Sequence, residues 1–393
     1  MSAVTHPVPG LLQRAAPRAL MAGGIGLAAC AVGAFQNPTE FLRSYLLAFL
    51  FWSGVGIGCL SLLFIQHLTG GRWGLLIRRF LEAGSRTLPF VAIAFVPLLL
   101  GLGRLYEWAD PVRVDADAVL QRKTLYLNPG FFAARAAFYF VVWGAVGYFL
   151  SAWSVRRDAR QDQRLDRRLR GLAGGGIVLS GLAITFSSID WAMSLDPHWF
   201  STIYGIIFMV GQTLSAFTLV ILLVSAMAQE EPFRRVVTRD TAHDLGKLLF
   251  AFVMLWAYIH LSQFLIVWHA NVPEEIPWYL RRIQGGWKYL AWTVLAVHFL
   301  GPFLALLSRS IKRDLRRLSI VAAAVFVARW LDLYWLVAPS LDRPHLTLHW
   351  MDVAAAVGLG GLWLWLFARL LASHPLLPQQ QDDLEPATAG GHA

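Results

Sequence analysis

Ten separate stretches of mostly apolar residues, each long enough to cross a bilayer, constrain this 393-residue chain more than any other feature. They fall at about 18–35, 42–67, 87–104, 130–153, 171–187, 199–227, 243–268, 287–307, 318–338 and 352–371. A spanning helix needs about 20 such residues, because hydrocarbon offers no partner to an open backbone amide. The expected fold class is therefore an all-α integral membrane protein of about ten transmembrane helices. Residues 18–372 form the transmembrane domain, between a cytoplasmic N-terminal tail over 1–17 and a polar C-terminal tail over 373–393. Residues 379–393 hold too few apolar groups to form a core and are expected to be disordered.

Charged residues make up 15% of the chain, yet the net charge is +10. That excess argues against nucleic acid as a partner, because it sits in short loops between apolar runs and alternates from loop to loop. Arg72, Arg78, Arg79 and Arg86 follow the second run, and seven arginines from Arg156 to Arg170 follow the fourth. Arg234, Arg235, Arg239 and Lys247 follow the sixth; Arg309, Lys312, Arg313, Arg316 and Arg317 follow the eighth. The opposite connections are sparser, with Arg43, Arg104, Arg113, Arg122, Lys123, Arg281, Arg282, Lys288 and Arg343. By the positive-inside rule both termini are expected in the cytoplasm. The 17 tryptophans agree with indole anchors at the two membrane surfaces.

Two cysteines, Cys30 and Cys59, supply neither a Cys-x-x-Cys-His haem attachment nor the four thiolates of an iron–sulfur cluster. No covalently bound cofactor and no metal ligand set are expected. Leu27-Ala28-Ala29-Cys30 matches a lipoprotein cleavage pattern. The apolar run continues through Phe35, so a Gly/Ala-rich spanning helix is the simpler reading.

Functional groups gather on two connections of the sparsely charged side. The first, 187–202, holds Asp190, Asp196 and His198 among Trp191 and Trp199, without Lys or Arg. A short interfacial helix broken before Pro197 could carry Asp196 and His198 toward the bundle as a proton-exchanging pair. A solvated interfacial turn is the plainer alternative. The second, 269–282, places Glu274 and Glu275 between Pro273 and Pro277, ahead of Arg281 and Arg282, as in a rigid ion-paired loop. Inside the apolar runs stand His260, Gln263, His298, Arg329 and Asp332, and ionisable groups there are costly. Arg329 and Asp332 share a helix face, either as an internal salt bridge or as a proton or quinone site. His260 and His298 lie at similar depth, but two histidines alone are weak grounds for haem.

The segment Asp190-Trp-Ala-Met-Ser-Leu-Asp-Pro-His-Trp-Phe-Ser-Thr-Ile-Tyr-Gly205 resembles a signature of the F subunit of bacterial alternative complex III. Asn271-Val-Pro-Glu-Glu275 with Trp278-Tyr279, and His67-Leu-Thr-Gly-Gly-Arg-Trp-Gly74 followed by Arg78, Arg79 and Glu82, resemble it too. That complex is a quinol:cytochrome c oxidoreductase unrelated to the cytochrome bc1 complex, and the likeness runs from about Leu42 to Leu318. The resemblance implies a polysulfide-reductase-type membrane subunit with two four-helix bundles and two extra helices, in the bacterial inner membrane. It implies as partners a paralogous quinone-binding membrane subunit, an iron–sulfur subunit and multihaem cytochromes c. Haem and iron–sulfur centres would lie on those partners, leaving this chain a quinone or quinol pocket, a proton path, or both. Two other classes stay open: a secondary transporter, against which no matched pair of broken helices is visible, and a purely structural anchor of a respiratory complex.

Overall fold

The computed structural model describes residues 10–160 and 162–377; among these residues the chain forms helices and no β-strand. Among the described residues ten helical spans are long and apolar enough to cross a membrane. They are α1 (Gly10–Gln36), α2 (Pro38–Thr69), α3 (Arg72–Leu100), α4 (Pro129–Ala159) and α5 (Arg164–Leu195). The second half supplies α6 (Tyr204–Met227), α7 (Arg239–Ala270), α8 (Trp287–Leu307), α9 (Leu315–Ser340) and α10 (Trp350–Leu371). The expected disorder over 379–393 lies outside the described residues.

Helices apolar on every face belong at the centre of a bundle. That is where α2 and α6 sit, each buried along most of its length and packed against the other. Around this seam α2–α5 form one four-helix bundle and α6–α9 a second, and α1 and α10 pack on each other beside α2. The α1–α10 crossing is close because both helices offer glycine: a Cβ on Gly26 would stand 2.6 Å from the Gly358 amide nitrogen. Small residues of this kind let membrane helices approach in the absence of any hydrophobic drive between them. Cys30 is buried on α1. That helix already runs at Gly10, the first described residue, ahead of the expected start at 18.

The third span departs most from expectation. Instead of beginning near 87, the helix starts at Arg72 and continues to Leu100 with tight breaks near Thr87 and Phe95. Residues 72–85 are amphipathic, and their polar side faces inward rather than toward water. Arg78 and Arg79, read from sequence as loop charges, are buried and each lies 2.5 Å from Asp158. Arg79 also pairs with Glu82. These two arginines are neutralised within the fold, so they carry less topological weight than their place in the sequence indicated. In the same way Arg156 and Arg157 ride on the end of the α4 helix, which runs on to Arg160, rather than in a loop.

The turns joining α2 to α3, α4 to α5, α6 to α7 and α8 to α9 lie at one end, the arginine-rich end. The opposite end carries longer connections, including short helices at Pro111–Ala116, Ala118–Lys123 and Ile276–Ile283.

Candidate functional site

At the opposite end Asp190 is not part of a short interfacial helix: it stands in the last turn of the helix Gln163–Trp191 within α5, fully buried. Arg135 of α4 grips both its oxygens at 2.9 Å, and the Tyr139 hydroxyl donates to it at 2.8 Å. The remaining Arg135 Nη1 donates to the Tyr126 carbonyl, and the guanidinium lies 3.8 Å from the Tyr126 ring centroid. All three Arg135 nitrogens and both Asp190 oxygens are matched, which is how a buried ion pair becomes tolerable. Asp190 is therefore a clasp between α4 and α5.

Asp196 and His198 do not form the expected pair. A 3₁₀ turn, Met193–Leu195, sends their side chains apart. Asp196 meets Arg281 at 2.7 Å and accepts a hydrogen bond from Ser340, with Arg282 at 4.0 Å. His198 is more than half exposed and its Nε2 lies 2.8 Å from Asp117. The arginine pair of the 269–282 segment thus serves Asp196 on another connection, not Glu274 and Glu275 beside it. Glu274 is exposed and lines a polar cavity of about 710 Å³ that also holds Asp196, His198 and Arg281. Arg282 is sealed beneath, donating to the carbonyls of Trp278 and Leu336 and to Ser340. It lies 3.4 Å from the Trp278 ring centroid, and Trp278 in turn stacks on Trp199 at 4.7 Å. Burial pulls the Arg282 guanidinium down to about 9, so it stays charged at neutral pH.

Deeper, the structure does gather the membrane-embedded polar residues. Trp256, His260 and Gln263 follow one another down one face of α7, as spacings of four and three dictate. Asp332 of α9 ion-pairs with Arg329 one turn away and accepts the Trp256 indole N–H at 3.1 Å. His260 Nε2 lies 3.9 Å from the same carboxylate. The Trp256 ring packs against both imidazoles, 4.3 Å from that of His260 and 4.0 Å from that of His298. His298 comes from a π-helical segment of α8, Leu295–Leu300, a widened turn of a type frequent at functional sites. Arg329 fits only because α6 presents Gly211, where a Cβ would stand 2.3 Å from a guanidinium nitrogen.

This cluster is short of partners. His298 is 0% exposed and neither of its ring nitrogens has a hydrogen-bond partner. His260 Nε2, Gln263 Nε2 and Arg329 Nε are also unpartnered. Buried polar groups are satisfied in the great majority of cases, and internal water commonly meets the remainder. The cluster sits about 12–15 Å inside the opposite end, counting eight to ten residues of helical rise from Asp332 and His260 to the ends of their helices. Between it and that end, Ser201 donates to Gln263 Oε1 at 2.7 Å. Ser201 lies on the same connection as Asp196.

Three participants escaped the sequence reading. Trp256 looked like one apolar residue among many, and the π-helical turn has no pattern of its own. Arg135 did carry a signal, being an ionisable residue within an apolar run. Neither a protein-family model nor a curated protein matches the chain.

Proposed function

We propose that the chain is a membrane subunit of a respiratory quinol:cytochrome c oxidoreductase, supplying a proton path through the α6–α9 bundle rather than a metal centre. The observation that carries this reading is the under-partnered cluster of His260, His298, Arg329 and Asp332 at membrane depth. An anchor gains nothing from such groups, and each of them costs stability unless hydrated or paired. Internal water between imidazoles, carboxylate and amide is the ordinary medium for handing on protons, and Gln263–Ser201 extends the polar line toward Asp196.

A quinone pocket is the weaker alternative. A quinone headgroup needs polar partners reached from the hydrocarbon. The lateral cavity among α1, α2, α9 and α10, about 480 Å³, is lined by residues such as Phe51, Phe326, Val353 and Leu364, with no titratable side chain. In the polar cluster His298, Arg329 and Asp332 are buried within their own bundle, and His260, 17% exposed, reaches its surface.

The reading includes a location: the bacterial inner membrane, with the arginine-rich end and both termini in the cytoplasm. Reporter fusions at Arg313 should then read as cytoplasmic and at Gln284 as external; a reversed pair overturns the orientation. For the assembly, the tagged chain purified from native membranes should bring c-type haem and an iron–sulfur subunit with it. Recovery alone, with substrate uptake in proteoliposomes, would instead establish a secondary transporter.

A further inference from the structure

Two cavities share a wall at the opposite end, one lined by several charged side chains and the other chiefly by apolar ones. One is the polar cavity of about 710 Å³ that holds Asp196 and His198. The other, about 500 Å³, lies where the end of α1, the start of α2 and the end of α3 meet, and its lining includes Ala34, Phe41, Leu42, Pro97 and Leu100. Gly103 and Arg104 line both. The apolar cavity stands where the spanning segments end, and Phe35 and Leu100 beside it are largely exposed, as side chains facing acyl chains would be.

Arg104 is the odd member of the arginines around these cavities. Arg43 pairs with Asp342, Arg113 with Glu107 and Arg281 with Asp196. Arg104 is exposed and, among the described residues, has neither an ion pair nor a side-chain hydrogen bond. A free guanidinium at the boundary of a polar and an apolar cavity is complementary to an amphiphile whose anionic group adjoins its hydrocarbon. A planar guanidinium also matches phosphate oxygens in a way an ammonium does not.

We infer that the junction of α1, α2 and α3 binds one membrane phospholipid, its phosphate on Arg104 and an acyl chain against Leu42, Pro97 and Leu100. The polar headgroup would extend into the larger cavity. The lipid would fill the notch that the short helices after Leu100 leave beside α1, and so pin α1 to the first bundle.

The test uses the full-length purified chain, delipidated in a neutral maltoside and titrated with phosphatidylglycerol under native mass spectrometry. One phosphatidylglycerol should bind more tightly than the rest. Arg104→Gln should weaken that first binding roughly fivefold, the effect of one arginine at a lipid surface. Arg104→Lys should lose less, Ala34→Phe should weaken binding by filling the apolar cavity, and Arg122→Gln at the same end should change nothing. Neutral diacylglycerol should bind without preference for Arg104. The inference is overturned if Arg104→Gln binds like the wild type, if Arg122→Gln weakens binding as much, or if Ala34→Phe leaves it intact. Displacement of the lipid by millimolar inorganic phosphate would also overturn it, assigning Arg104 to a free anion.

Discussion

Asp190 and Asp332 are both buried carboxylates on spanning helices, each held by an arginine, yet their surroundings differ in kind. Asp190 and Arg135 exchange two hydrogen bonds, and Tyr139 and the Tyr126 carbonyl take up most of what remains. Around Asp332, the imidazole nitrogens of His298, one of His260 and an amide hydrogen donor of Gln263 are left open. A polar group buried with its partners is architecture, because it specifies which helices meet. A polar group buried without them destabilises the fold, and its retention points to a use. The two clusters should therefore fail differently when cut.

The largest loss of stability is expected at the satisfied cluster. Asp190→Asn strands the Arg135 charge, and breaking a buried pair in this way costs about 3–5 kcal/mol. Thermal unfolding of the purified chain should show it, with Arg135→Met/Asp190→Leu recovering much of the loss. A single substitution that leaves the melting temperature unchanged would remove the distinction between the clusters. Next comes Gly211→Ala, which sets a methyl against the Arg329 guanidinium at 2.3 Å. Overpacking of that sort costs about 1–3 kcal/mol. Reduced turnover of the intact complex should accompany it, since Arg329 must move from Asp332.

The smallest effect belongs to the exposed His198–Asp117 pair, which ties the 192–203 connection to the short helix Ala118–Lys123. Slight burial works to raise the Asp117 carboxyl, but the amides of Val119 and Leu120 and the His198 ring outweigh it and hold it below its ordinary value. A carboxylate whose affinity for protons is lowered by folding contributes at pH above its unfolded value and loses that contribution as pH falls through the folded one. The clasp should thus survive from pH 7 to pH 5 and weaken only below the usual carboxylate range. Hydrogen-exchange protection over 111–123, taken relative to the intrinsic exchange rate at each pH, should not fall in that window and should be lower in Asp117→Asn. Opening near pH 6 would show that another group governs it.

The spans and the all-helical class could be read from the chain because apolar length acts locally along the sequence, whereas the paired bundles were implied only by the resemblance. The start of α3 could not be read in that local way. Residues 72–85 are polar on one face, and only the fold reveals that Asp158, far away in sequence, turns that face inward. The same limit applies to the site. Spacing along one helix correctly placed Arg329 beside Asp332. Pairings between connections were beyond it: Asp196 found Arg281 and Ser340, while His198, two residues on, found Asp117. Neighbours in sequence at a broken turn point in different directions, and partner choice is then settled by whichever loop folds over them.

The contrast between the two clusters comes to a single side chain at His298. It is fully buried, unpartnered and set on a π-helical turn. His298→Leu should be measured in the intact complex purified from native membranes, following thermal unfolding, haem content and quinol:cytochrome c turnover on one preparation. Removing an unsatisfied polar group is nearly neutral or stabilising, whereas losing a relay group typically slows a reaction by about 10²-fold or more. The account predicts an unchanged or higher melting temperature, normal haem and turnover slowed to that degree. A lower melting temperature with turnover intact would make His298 a core residue and contradict the proton path.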